Sequence, residues 1–234
     1  MPVVSGFFIW TKRKYLRARE PTNLGLFFLA TGALLYGLGF FWEIKTLGAL
    51  SLLIVVTGIV LVIFGMRTAR EIVFSLVFLL FMIPFPFIQN LAYGLQEISI
   101  RSSAWLTGAL GLPLTTSGTE IYLGDITFSI GLPCSGINTF IALLALTAVY
   151  AYIITGPVYR RLILFIMAFP MAIAANILRI STIITLAYYT DIETAMGWYH
   201  DISSPIFFII AFCAIVLIGW AIKCRLNFRQ LRYR

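Results

Sequence analysis

The sequence predicts an all-α integral membrane protein with about six transmembrane helices. Three observations carry that expectation. Hydrophobic residues make up 61% of the 234 residues, charged residues only 11%, and mean hydropathy is +0.98. A soluble domain carries about 25% charged residues, so too few polar side chains remain here to coat a water-facing surface. The apolar residues also gather in runs near the ~20 residues that a membrane helix needs. Finally, the net charge of +8 is distributed unevenly between successive loops. Soluble enzymes, nucleic-acid modules and disordered chains are thereby excluded.

The spans are read in order as residues 24–42, 47–66, 72–93, 135–155, 162–189 and 205–222. The third is interrupted by Pro84 and Pro86, and the fifth is long enough to tilt or protrude. Fourteen of the 17 basic residues fall in four segments that alternate topology puts on one side. These are the amino-terminal arm (Lys12, Arg13, Lys14, Arg17, Arg19), Arg67 and Arg70, Arg160 and Arg161, and the tail (Lys223, Arg225, Arg229, Arg232, Arg234). Seven of nine acids lie on the other side. The positive-inside trend then sets both termini in the cytoplasm. The basic balance reads as topology and attraction to anionic lipid, not nucleic-acid binding. Three regions follow: a basic arm (1–23), a single polytopic domain (24–222) and a basic tail (223–234). No removable signal peptide is expected, because the basic run follows the apolar residues 2–10 rather than preceding them.

The longest outer loop, 94–133, joins spans three and four. Leu91, Leu95, Ile98 and Trp105 stand near helical spacing and suggest a helix along the outer interface. Residues 119–130, TEIYLGDITFSI, alternate apolar and polar around Gly124-Asp125, which suits a short extracytoplasmic β-hairpin.

Three residues on the outer side could carry chemistry. Cys134, in Gly-Leu-Pro-Cys-Ser-Gly, stands at the expected start of span four. Unpaired N–H groups and the helix dipole there favour an anion, which suits a reactive thiolate. The alternative is a small buried packing residue. Asn138 lies one turn along. Arg179, in Asn-Ile-Leu-Arg-Ile, is 18 residues beyond Arg161. At 1.5 Å per residue that is ~27 Å, which puts a cation in the outer leaflet. The alternative is snorkelling to headgroups. Asn176 shares its face. His200, the only histidine, precedes Ser204-Pro205, which reads as an N-cap and first helical residue, so His200 is expected in the loop above the helix. It could act as general acid or base, or be a solvated loop residue.

The three come from three spans at one depth. A thiol, an imidazole and a fixed cation are the parts required for acyl transfer: nucleophile, proton carrier and oxyanion stabiliser. Asp191, Glu193 and Asp201 could each orient His200, with Asp201 the least suited because it is adjacent in sequence. Cys213 reads as a packing residue, Cys224 as a juxtamembrane cysteine open to palmitoylation, and Arg101 as an exposed loop charge. No cofactor is expected, and three scattered cysteines with one histidine do not make a zinc site.

At these residues the chain resembles the exosortase/archaeosortase family of integral-membrane sorting enzymes. The resemblance rests on LLFMIPFPF, GLPCSGIN, FPMAIAANILRI and WYHDISSPIFF, in that order, and covers roughly residues 76–208. It implies catalytic Cys134, Arg179 and His200, with Ser135, Asn138 and Asn176 in support. Histidine at the third position leans toward the exosortase pattern. The resemblance also implies a multi-pass protein of a prokaryotic cell membrane with its site on the extracytoplasmic face. Its partners would be membrane-anchored precursors bearing a short motif, a transmembrane helix and a basic cluster. The new carboxyl end would pass to a lipid, a glycan or water. Two rivals stay open: a thiol acyltransferase using lipid donors, and a non-catalytic transporter or assembly scaffold.

Overall fold

A computed structural model describes residues 1–12, 22–124, 126–129 and 131–226. The basic residues of 13–21 and 229–234, and Asp125 of the expected turn, lie outside the described residues. About four-fifths of the described residues are helical. Its helices are α1 (Pro2–Thr11), α2 (Leu24–Phe41), α3 (Lys45–Glu71), α4 (Val73–Phe78), α5 (Phe87–Ala109), α6 (Ile137–Ile153), α7 (Val158–Tyr189), α8 (Ile192–Thr194) and α9 (His200–Ala221). Four segments are long and apolar enough to cross a membrane: α2, α3, α7 and 192–221. A fifth results if 73–82 and 87–109 are counted together. The expected fourth span is α6, a shorter apolar helix of 17 residues. The protein is a membrane protein.

Residues up to Pro86 and residues Phe87–Leu226 form two compact units. In the first, α2 and α3 meet through glycines. A Cβ on Gly25 would stand 2.7 Å from Val62 N and 2.9 Å from the Gly58 carbonyl. One on Gly32 would stand 2.5 Å from Val55 Cγ2. Bare backbone therefore lets the helices touch, which is how membrane helices associate when lipid supplies no hydrophobic drive. Phe27, Leu34, Phe40 and Phe41 face outward. Helix α3 kinks at Gly65, φ +79°. The apolar segment 2–10, read as part of the arm, is mostly α1. Ser5 Oγ donates to the Ser75 carbonyl, and Lys12 meets Glu71.

The expected third span is not one helix. Pro84 and Pro86 lack the N–H that a helix needs, so a 3₁₀ turn ends at Met82 and α5 starts at Phe87.

In the second unit α7 is central, packing against α5, α6 and α9. Helix α5 covers the segment read as an interfacial helix. Leu91, Ile98 and Trp105 are exposed on it, while Leu95 is buried together with Gln96, Ser99, Ser103 and Thr107. Apolar side chains cost nothing against lipid, whereas small polar ones pack closely and find partners inside. Ser103 Oγ, for example, donates to the Ile177 carbonyl of α7. Helix α7 passes through Pro170 without breaking.

Between α5 and α6 lies a three-stranded antiparallel sheet: β1 (Leu114–Ser117), β2 (Glu120–Leu123) and β3 (Ile126–Ser129). Strands β2 and β3 occupy the segment where alternation suggested a hairpin, and β1 is additional. Gly118 and Gly124 hold φ +59° at the two turns, a conformation other residues resist. Ile121, Leu123 and Phe128 point inward and join Ile180, Ile183 and Ile184 of α7 in one buried cluster. A backbone ribbon, β4 (Ile154–Thr155) with β5 (Arg225–Leu226), closes the opposite end.

The same substitution at two glycines of α2 has opposite expected signs. Gly25→Ala should lower stability by about 1–3 kcal/mol, the cost of overpacking. Gly37→Ala, whose Cβ would meet nothing within 4 Å, should be neutral or stabilising by up to about 1 kcal/mol of helix propensity. Thermal unfolding of the two variants in detergent compares them directly.

Candidate active site

Cys134 does not sit in the first turn of a helix. It lies in a 3₁₀ turn, Leu132–Ser135, and Gly136 at φ +80° separates that turn from α6. Only glycine fits there: a Cβ at this position would lie 2.6 Å from Asn176 Cγ, and the left-handed backbone also favours glycine. Asn176, buried on α7, uses its amide to tie the turn down. Its Nδ2 donates to Ser99 Oγ at 2.9 Å and to the Cys134 carbonyl at 3.2 Å. Ser135 is buried, and its Oγ accepts from Ile137 N–H at 3.3 Å. Asn138 is exposed and stands on the wall of an open cleft.

His200 is not in a loop. It is the first residue of α9, and Pro205 lies inside that helix. A wide π-turn, Ala195–Tyr199, leads the chain directly into α9, so no N-cap is needed at Ser204. Asp191 begins this approach by accepting from the Thr194 N–H at 2.6 Å. That hydrogen bond holds its carboxyl below the usual range. Asp191 is therefore engaged locally. Among the described residues, the carboxylate that meets the imidazole is Asp201, with Oδ1 3.3 Å from Nδ1. Sequence adjacency argued against it, but at a helix start neighbouring side chains can fold toward each other.

Arg179 does not snorkel. It is 6% exposed, enclosed in the bundle by α9. Its Nε donates to Ser203 Oγ at 3.2 Å, and its Nη2 stands 3.1 Å from His200 Nε2. Ser203 in turn donates to the His200 carbonyl at 2.9 Å. Cys134 Sγ lies 3.3 Å from the same Nε2. Thus Cys134, Arg179 and His200, more than 60 residues apart at the extremes, converge on one nitrogen.

A guanidinium only donates. Its contact with Nε2 is a hydrogen bond when that nitrogen carries a lone pair, which puts the proton of the neutral ring on Nδ1, facing Asp201. Nε2 then also faces the Cys134 thiol as an acceptor.

A family model described as transmembrane exosortase matches residues 1–217. The chain belongs to the transmembrane exosortase family. Its members are in general membrane cysteine transpeptidases or proteases of protein sorting. Neither a curated protein nor a solved structure matches the chain.

Two cavities adjoin Arg179 and His200, and Cys134 lines one of them. One, of about 30 Å³, is walled by Phe128, Ile180, Ile183, Ile184 and Met196 together with Cys134, Arg179 and His200. The other, of about 230 Å³, is open and polar, walled by Gly136, Asn138, Thr139, Asp201 and Ser204 with Arg179 and His200. No group of three or more metal-ligating side chains occurs among the described residues. Cys213 is exposed on α9 rather than packed, and Cys224 is buried rather than open to modification. Arg101 pairs with Glu97 at 2.6 Å on the surface of α5.

Sequence reasoning missed Ser99, Ser203 and Gly136. Ser203 follows His200 by three residues, the helical spacing that brings it onto the same face. Ser99 belongs to a small-polar stripe on α5 that apolar periodicity hides.

Gly136 and Asn176 should behave as one unit. Gly136→Ala is expected to cost about 2 kcal/mol or more through the left-handed backbone and the clash. Asn176→Ala should cost about 1–3 kcal/mol by leaving buried groups unpaired. The double variant should lose less than the sum, because the clash vanishes with the amide. Thermal unfolding of the four proteins measures the coupling.

Proposed function

We propose that this protein is a sorting cysteine peptidase or transpeptidase, acting at the extracytoplasmic face of a prokaryotic cell membrane. Its substrates are secreted proteins that end in a short motif, one transmembrane helix and a basic cluster. The observation that carries the reading is the meeting of Cys134 Sγ and Arg179 Nη2 at His200 Nε2, at 3.3 and 3.1 Å. The uneven placement of basic residues supports the orientation, with the cytoplasmic ends of the spans basic and the site at the other end.

The chemistry follows from the hydrogen bonds. Nε2 takes the thiol proton as sulfur attacks the carbonyl carbon of the scissile peptide. Once Nε2 bears that proton it no longer accepts from Arg179. The guanidinium is released to donate to the oxyanion that forms at the same moment. Collapse of the tetrahedral adduct breaks the C–N bond. The imidazolium gives its proton to the leaving amine, and the acyl group stays on sulfur as a thioester. An acceptor hydroxyl or amine, or water, then gives its proton to Nε2 as it attacks the thioester; the C–S bond breaks, and the departing sulfur recovers that proton from Nε2. Asp201 keeps the ring in the tautomer that starts the cycle, and Ser203 and Asn176 hold Arg179 and the Cys134 turn in place.

Intact carboxy-terminal masses of surface proteins in the native host test the reading. Cells with Cys134→Ala should accumulate proteins that retain the terminal helix and basic cluster, while wild type shows them trimmed. His200→Ala should reduce trimming by about 10²-fold or more. Arg179→Lys should reduce it by about 10²–10³, because an ammonium does not reproduce the guanidinium's donor geometry. All three variants should accumulate in the membrane at wild-type levels. Identical masses in wild type and Cys134→Ala would overturn the proposal, and a fatty acyl group trapped on Cys134 would point to lipid donors.

A further inference from the structure

The two cavities beside the site differ in chemistry, and Arg179 and His200 form the wall between them. Cys134 belongs to one side only: it lines the apolar cavity and not the polar cleft. We propose that the apolar cavity is the specificity pocket for the substrate residue whose carbonyl Cys134 attacks, and that it selects an uncharged aliphatic side chain at that position. This inference rests on the peptidase reading and names the substrate feature read at the same site.

A covalent constraint supports the assignment. In the thioester, the acyl residue's α-carbon is bonded to the carbonyl carbon that sulfur holds. Its side chain therefore starts within a few ångströms of Sγ and must enter whatever space adjoins Cys134. That space is built by Ile180, Ile183 and Ile184 from successive turns of α7, Phe128 from β3 and Met196 from the π-turn. The first four are buried in the cluster that locks the sheet onto α7, so the floor is rigid. Met196, 41% exposed, forms the rim. The enclosed space, about 30 Å³, admits a small side chain and no bulky one. The wall's charged group is Arg179, already engaged by Ser203 and His200. A lysine side chain entering there would lose its water and meet the like charge of Arg179, and an aspartate would take up the guanidinium donors that the oxyanion needs.

The polar cleft has the complementary character. The amine leaves, and the acceptor arrives, on the side where His200 can exchange a proton and where Asn138, Thr139 and Ser204 can hydrogen-bond it. Acyl side and acceptor side are thus separated by the proton carrier that serves both.

The pocket can be read without knowing the natural substrate. The full chain in detergent is treated with a series of N-acetyl aminoacyl chloromethyl ketones differing in one side chain: glycine, alanine, valine, phenylalanine, aspartate and lysine. Sulfur displaces chloride, forming a C–S bond at Cys134, and the thiol proton goes to His200. Peptide mapping separates this adduct from any on Cys213. The alanine and valine probes should modify Cys134 about tenfold faster than the glycine probe, the scale on which apolar pockets discriminate. The aspartate and lysine probes should be slower than glycine. Ile184→Phe should fill the pocket and restore preference for glycine. Met196→Ala, a change at the exposed rim that spares the buried floor, should admit phenylalanine. Equal rates across the series, or fastest labelling by a charged probe, would overturn the pocket while leaving the nucleophile intact. If chloroacetamide modifies Cys134 but none of the peptide-like probes does, the peptidase reading falls with it.

Discussion

A buried arginine without a carboxylate partner sets the terms for this site. Among the described residues, Arg179 is held by a serine hydroxyl and an imidazole nitrogen, both neutral acceptors. A cation inside an apolar bundle costs several kcal/mol unless its surroundings compensate. Two neutral hydrogen bonds compensate only in part, so the site retains an appetite for negative charge. In the proposed cycle that charge arrives twice, as thiolate and as oxyanion, each within reach of the guanidinium. Burial strengthens the attraction, since little water competes. The arginine also governs its neighbours: by donating to Nε2 it requires the lone pair on the atom that must receive the thiol proton.

The scaffold around Arg179 follows from the membrane as solvent. Lipid rewards apolar side chains on the outside of helices, so the interior is free to hold small and polar ones. Helix α5 shows the result, with Trp105 and Ile98 outside and Ser99, Ser103 and Thr107 inside. One of these serines receives the amide of Asn176, and Asn176 holds the Cys134 turn. The polar stripe on α5 is thus connected to the nucleophile through two hydrogen bonds. The sheet is the exception to lipid logic. Its inner residues, Ile121, Leu123 and Phe128, cover α7 as a soluble core would, and through Phe128 it closes one side of the apolar cavity.

Much of this was legible in the residues. Hydropathy alone places α2, α3, α7 and most of α9, because a bilayer demands continuous apolar runs and punishes exceptions. The prolines at 84 and 86 mark a break that any helix would suffer. The three chemical residues stand out for the same reason: a cation, an imidazole and a thiol beside a glycine are expensive or unusual near a membrane. What sequence periodicity left hidden was the other face of α5: apolar spacing marks one side, whereas the small polar side chains that pack inward carry no such signal.

Other features were decided only by the tertiary structure. Whether Cys134 belongs to a helix depended on the contact between Gly136 and Asn176, 40 residues away in sequence. Whether His200 was helical depended on the π-turn before it, which has no simple sequence signature. Its orienting carboxylate was ambiguous because three acids lie within ten residues, and only packing shows which one meets the ring. The cavity beside Cys134 is assembled from a strand, a long helix and a turn that no local pattern links. Composition and spacing by themselves determined the membrane class and the helices α2, α3, α7 and α9, and singled out Cys134, Arg179 and His200 as candidates, because those follow from the cost of each residue in its own surroundings. The meeting of these three residues at one nitrogen was decided by long-range packing, because distance between side chains is a property of the whole bundle.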